Sequence, residues 1–207
     1  MDSIDFEEVD SMSDNADDLD VEKIAAELHE RVVMLQSAGR NDLLLHALGV
    51  STLEDLRIEA ARGNLSPLYI TSDYRIILTS LNREVELSPV HKAVYLLFLN
   101  HPEGIEFKRL GEYKPELFHL YKETSHWTDI MKIEETVERL VNPFDNAINE
   151  KCSRIKKVFS ELMDEYSASY FVISSHTKRH IVGSSRIWYE RLKVITLPRE
   201  LVVYENK

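Results

Sequence analysis

The spacing of apolar positions changes character twice along the chain. Val21, Ile24, Leu28, Val32 and Leu35 recur at three- and four-residue intervals, the period of an amphipathic helix, which predicts one over 21–38 ended by Gly39. A short apolar helix over 41–48 stops at Gly49, and Ser51 or Thr52 then caps a third that runs through Ala61 and ends at Gly63. From Leu68 the period falls to two. The segments 68–70, 75–78 and 84–87 read as strands, with Ser72-Asp73 and Leu81-Asn82-Arg83 as turns. Helical spacing returns at 90–100, an almost wholly apolar segment that must be buried. A helical block over 107–112 and 115–122 is expected to break at Pro115, since a residue before proline is driven out of the helical region. Thr128 or Asp129 caps a helix to Val141, and a long helix covers 143–163. Strands are expected at 170–174, 193–197 and 201–204. Strands, then helices, then a hairpin make an α+β plan.

Within 143–163, Phe144, Ile148, Cys152, Ile155, Phe159 and Leu162 form one apolar stripe. Asn142 stands where an N-cap would and Pro143 fits the first helical position. The opposite face carries Asn146, Asn149, Ser153, Lys156 and Lys157. Amides and cations on one face can meet base edges and phosphates, although ordinary surface helices also look like this.

Charge distribution sharpens the picture. The net charge is −11 and the pI about 5.2, which argues against nucleic acid if the whole chain is averaged. Residues 1–20 alone hold nine acids and no base, whereas 151–207 hold eleven bases against six acids. Only this last segment is basic, as expected of a DNA-binding element inside an acidic protein; chance clustering on a solvated face is the alternative. Residues 1–20 read as an acidic disordered tail, 21–63 as a helical appendage and 66–205 as the main domain. Three short helices bury little by themselves, so 21–63 should cover that domain, bind a protein partner or pair two chains as a homodimer.

The order Glu84-Val85-Glu86-Leu87-Ser88-Pro89, an apolar helix, His101-Pro102-Glu103-Gly104, and later Cys152-Ser153-Arg154-Ile155-Lys156-Lys157 resembles the winged-helix effector domain of OmpR/PhoB-type response regulators. The resemblance covers roughly 68–204 and includes a group of small bacterial proteins that carry the domain without a receiver. It implies a winged helix-turn-helix with a small N-terminal sheet and a C-terminal β-hairpin wing, and a transcriptional regulator that binds double-stranded DNA. Carried over, it puts Asn149, Glu150 and Ser153 on the base-facing side of a recognition helix, with Arg154, Lys156 and Lys157 nearer phosphates. Asn146-Ala147 stands where regulators often have Arg-Thr, and Glu150 repels phosphate unless it reaches a cytosine. The wing, over 174–193, is longer and more basic than the family's, with Lys178, Arg179 and Arg186 as its candidate phosphate contacts and Gly183-Ser184-Ser185 within it. Trp188 and Tyr189 either stack on bases or anchor the hairpin to the core. A winged helix that binds protein and no longer binds DNA is the runner-up.

Other chemistry finds little footing. No Gly-rich phosphate loop is present, and His176 and His180 lack supporting carboxylates or cysteines for a metal. His126-Trp127-Thr128-Asp129 shows no triad logic. The expectation is a non-enzyme without metal or cofactor. The single cysteine, Cys152, falls on the apolar stripe and is expected to be a reduced core residue. Residues 66 and before are too few for a phosphoacceptor receiver. Without a basic, apolar leader or a long apolar run, no membrane segment is expected, and the location is expected to be cytoplasmic.

Overall fold

The computed structural model of the chain describes residues 14–125, 129–182 and 186–205; side chains of 14–20, 50–51, 178–182 and 186–188 are outside that description. His126, Trp127, Thr128, Gly183, Ser184, Ser185 and the first thirteen residues therefore lie outside the described residues. The architecture is mixed α+β. Contacts divide the chain into two units, 1–54 and 55–207, the division falling inside the third helix.

In the first unit, α1 (Asp14–Ser37) and α2 (Asn41–Leu48) pack together. The helix α1 begins seven residues before the expected Val21, so part of the acidic segment read as disordered is helical. Its end follows the sequence. Gly39 adopts φ +69° and Arg40 N donates to Leu35 O at 2.9 Å, the Schellman closure that a glycine permits. Val21, Ile24 and Leu28 of the predicted stripe are exposed.

The helix α3 (Val50–Ala61) starts at Val50, ahead of the expected caps Ser51 and Thr52, and runs into a 3-10 turn, Arg62–Asn64. In the second unit, β1 (Leu68–Ile70), β2 (Ile76–Leu78) and β3 (Arg83–Glu84) are followed by α4 (Pro89–Asn100). The sheet order is β3-β2-β1-β6, where β6 (Val202–Tyr204) lies parallel to β1 with Leu68 opposite Val202. Alternation explains the sheet: Leu68, Ile70, Ile76 and Leu78 are buried, while Tyr69 and Ile77 face the other way. The third strand stops at Glu84, short of the expected 87, because Val85 and Leu87 are drawn into the core.

Pro89 begins α4 at its first position, and Ala93 through Leu99 are all buried. Around it lie a 3-10 turn (Phe107–Tyr113), α5 (Lys114–Ser125), α6 (Ile130–Val141), α7 (Ala147–Leu162) and α8 (Glu165–Phe171). Pro115 does not break a helix. It sits in the first turn of α5, where a missing N–H leaves no bond unmade, and Lys114 is helical at φ −52°, ψ −45°. Asp129 caps α6 by accepting from Lys132 N at 3.3 Å. The Tyr95 and Phe159 rings lie 5.2 Å apart and Phe159 and Phe171 5.7 Å apart, tying α4 to α7 and α8.

Of residues 170–174, expected as a strand, Tyr170 and Phe171 end α8 and Ser174 alone belongs to a strand. Asp164 accepts from Ser167 N at 3.0 Å and starts that helix, while Tyr170 and Phe171 turn into the core. The hairpin follows: β4 (Ser174–Val182) pairs with β5 (Arg186–Val194), so the strand expected at 193–197 ends at Val194. The turn after α4 fastens the hairpin base. Ile105 and Lys193 exchange two backbone bonds of 2.9 Å. His101 bridges Glu103 and Glu116, each at 2.8 Å. Gly104 has φ +85°, and a Cβ there would lie 3.0 Å from Leu192 Cβ and 3.2 Å from Lys193 O.

Two variants probe this packing. Gly104→Ala should lower stability in urea titrations by about 1–3 kcal/mol, from left-handed backbone and a close contact that cannot relax toward a main-chain oxygen. Ile155→Asp should abolish cooperative unfolding. Ile155 is 0% exposed, and an unpaired buried charge costs several kcal/mol against a total of about 5–15.

Candidate nucleic-acid interface

The turn between α6 and α7 determines where the candidate face begins. Asn142 is not the N-cap expected from its sequence position. It ends α6, and its Oδ1 accepts from Phe144 N at 3.0 Å while its carbonyl accepts from Asp145 N at 3.1 Å. Asp145 then accepts from Ala147 N at 2.9 Å and pairs with Arg139 at 3.2 Å. The first helical residue is therefore Ala147, with Asn146 at the cap. Phe144, expected on the buried stripe, is outside the helix and 97% exposed. A four-residue turn had to fit between the helices, and it took Pro143 and Phe144 out of the helical phase.

From Ala147 onward the two faces separate cleanly. Ile148, Ile155 and Phe159 are buried, with Cys152 and Leu162 partly buried against them. Burial pushes the Cys152 thiol up to about 12, against an opposing effect of the Lys193 charge. The thiol is therefore protonated at neutral pH and a poor nucleophile.

The exposed face holds Asn146, Asn149, Glu150, Ser153, Arg154, Lys156 and Lys157. All of these but Lys156 line one open groove of about 390 Å³. Asn149 Nδ2 donates to Asn146 Oδ1 at 3.1 Å, and Ser153 Oγ donates to Asn149 O at 2.9 Å. Lys157 reaches Glu161 at 3.7 Å, both side chains largely in solvent, a pair worth little and easily exchanged for another anion. Beneath the face, burial and the charges of Lys151 and Arg154 hold His91 below its ordinary range, and its Nδ1 meets Ser88 Oγ. His91 therefore adds no positive charge at neutral pH.

The hairpin candidates stand in register across from Glu190, Tyr189 and Val182: Lys178, Arg179 and Arg186 respectively. Their side chains, with those of His180 and Trp188, lie outside the described residues. Tyr189 is 64% exposed and does not anchor the hairpin to the core. A smaller cavity of about 220 Å³ lies beside the turn at Gly104, but its charged groups are already engaged. Arg109 pairs with Glu112 at 2.8 Å and Glu106 with Lys108 at 2.9 Å. Among the described residues no helix is long and apolar enough to cross a membrane, and no cluster of His, Cys, Asp and Glu could hold a metal ion.

Comparison with protein-family models, with curated proteins and with solved structures finds no match. The α7 face thus stands on its own chemistry. Two residues that shape it, Asp145 and Arg139, escaped the sequence reading, although Asn142-Pro143-Phe144-Asp145 has the composition of a turn.

The Asp145 carboxyl lies below the usual carboxylate range, first through the Ala147 amide and then through Arg139. A lowered value means the contribution is complete above the unfolded value of about 3.9 and is lost as pH falls through the folded one. Asp145→Ala should therefore melt below wild type at neutral pH, with the gap closing at acid pH. Amide exchange at Ala147 should quicken in the variant.

Proposed function

We propose that the second unit is a winged helix-turn-helix of the kind the sequence resembles, and that it binds duplex DNA as a transcriptional regulator. In this reading α6 and α7 are the helix-turn-helix pair, α7 enters the major groove, and the β4–β5 hairpin is the wing, with Lys178, Arg179 and Arg186 toward phosphates. One observation carries it: α7 buries an apolar stripe and turns to solvent a continuous face of amides, a hydroxyl and cations that also holds the Glu150 carboxylate. Arg154 and Lys157 suit phosphate, while Asn146 and Asn149 suit adenine edges. Such a protein works where the DNA is, in the cytoplasm of a bacterium.

A second reading has its own support. Val21, Ile24 and Leu28 on α1 are exposed, and an apolar row of this kind suits a protein partner or a second copy. The acidic overall charge favours a protein-binding module without DNA affinity.

Gel-shift titrations on random and genomic duplexes at low salt test the first reading. Binding should weaken steeply with salt, and Lys157→Ala should reduce the log–log slope by about 1. Asn149→Ala should instead relax sequence preference, by about 1–3 kcal/mol for one bidentate base contact. If the full chain and a form lacking residues 1–20 both fail to shift DNA at high micromolar concentration, the protein-binding reading takes its place.

A further inference from the structure

Phe144 is the sharpest mismatch between a side chain and its surroundings: a phenyl ring 97% exposed, of a residue type that folded chains ordinarily bury. A lone exposed apolar residue needs no explanation by itself. The way this one is held and what adjoins it do. Its own amide bonds Asn142, and the next residue is tied to Asn142, Ala147 and Arg139. The backbone on both sides of the ring is therefore set, and little freedom remains to be lost on binding. Only Asp145 separates it from Asn146, so the two Cα atoms lie within about 7 Å. That places Phe144 at the N-terminal end of the amide-and-cation face.

The ring is not part of a contiguous apolar patch along its own helix pair. Ile130 and Met131, the exposed large apolar residues of α6, stand at the far end of that twelve-residue helix, about 17 Å from its near end at 1.5 Å per residue. Its near neighbours in sequence beyond Pro143 are Asp145, Asn146 and the groove residues Asn149 and Glu150. A partner must therefore offer one small apolar group beside hydrogen-bonding groups, with any anionic groups further along, toward Arg154 and Lys157. In the major groove the four base pairs present just one apolar group, the thymine C5-methyl, beside base-edge donors and acceptors. Residues at the N-terminal end of a recognition helix are the ones that reach base edges.

We propose that Phe144 reads thymine, its ring packing against the C5-methyl next to an adenine held by the Asn146–Asn149 amides. This rests on the DNA-binding reading above and adds base preference to it. The full chain is offered a competition between random-sequence duplexes made with thymine and the same duplexes made with uracil, which pairs identically but lacks the methyl. Wild type should prefer the thymine pool by about fourfold, the effect of one buried methyl group. Phe144→Ala should bind both pools equally, with the uracil affinity of wild type and an unchanged melting temperature, because the ring packs against nothing in the fold. Phe144→Leu should keep part of the preference. Lys157→Ala should weaken both pools alike and leave the preference intact. Equal binding of both pools by wild type, or a preference that survives in Phe144→Ala, overturns the proposal while DNA binding stands. Tighter binding to single strands than to duplex overturns it in favour of base stacking, and no binding to any pool overturns both readings together.

Discussion

Burial of α4 on every side is the constraint from which the rest of the second unit follows. A helix with Ala93 through Leu99 all inside cannot rest on one neighbour. It needs a layer around it, and the chain supplies α5, α7 and the hairpin base. Tyr95, Phe159 and Phe171 form a string of rings through this layer, so the phase of α7 is set by where Phe159 must go. The phenol of Tyr95 is taken entirely out of water, which pushes its ionisation well above the ordinary range and keeps it neutral.

That phase makes the exposed face of α7. Once Ile148, Ile155 and Phe159 point inward, the 3.6-residue period leaves Asn149, Ser153, Arg154 and Lys157 outward whatever their purpose. Purpose enters through the details at the start of the helix. Asp145 and Arg139 determine where the first turn begins, Asn149 leans on Asn146, and the same turn leaves Phe144 in solvent. The same economy appears at Gly104, where only the absence of a Cβ lets the turn after α4 close against Leu192 and Lys193.

Residue patterns made the long elements legible and the junctions illegible. Apolar patterning located α4, α6 and α7, because each buries residues that must repeat with the helix, and it located α1 although Val21, Ile24 and Leu28 of its stripe are exposed. Alternation found β1 and β2 for the equivalent reason in a sheet. The pairing of the last strand with the first needed the fold, since β6 is fixed by Tyr204 Oη bonding Asn100 at 2.9 Å and Glu205 N bonding Ile70 O at 2.8 Å. The helix α8 was misread because Tyr170-Phe171-Val172-Ile173 is as apolar and β-prone as a strand, and the Asp164 cap that starts it is a weaker signal than that run.

By itself the sequence determined which residues of α7 are apolar and which are polar, and therefore that a helix there must have one face inside and one outside. It also determined that the acidic charge sits early and the basic charge late. Tertiary structure decided where that helix starts, and so decided that Asn146 stands at its N-cap position and that Phe144 stands in water. The reason is physical. A periodic stripe fixes rotation about the helix axis, but the first turn is set by side-chain bonds to unpaired N–H groups, here those of Asn142 and Asp145, and these depend on how the preceding helix approaches.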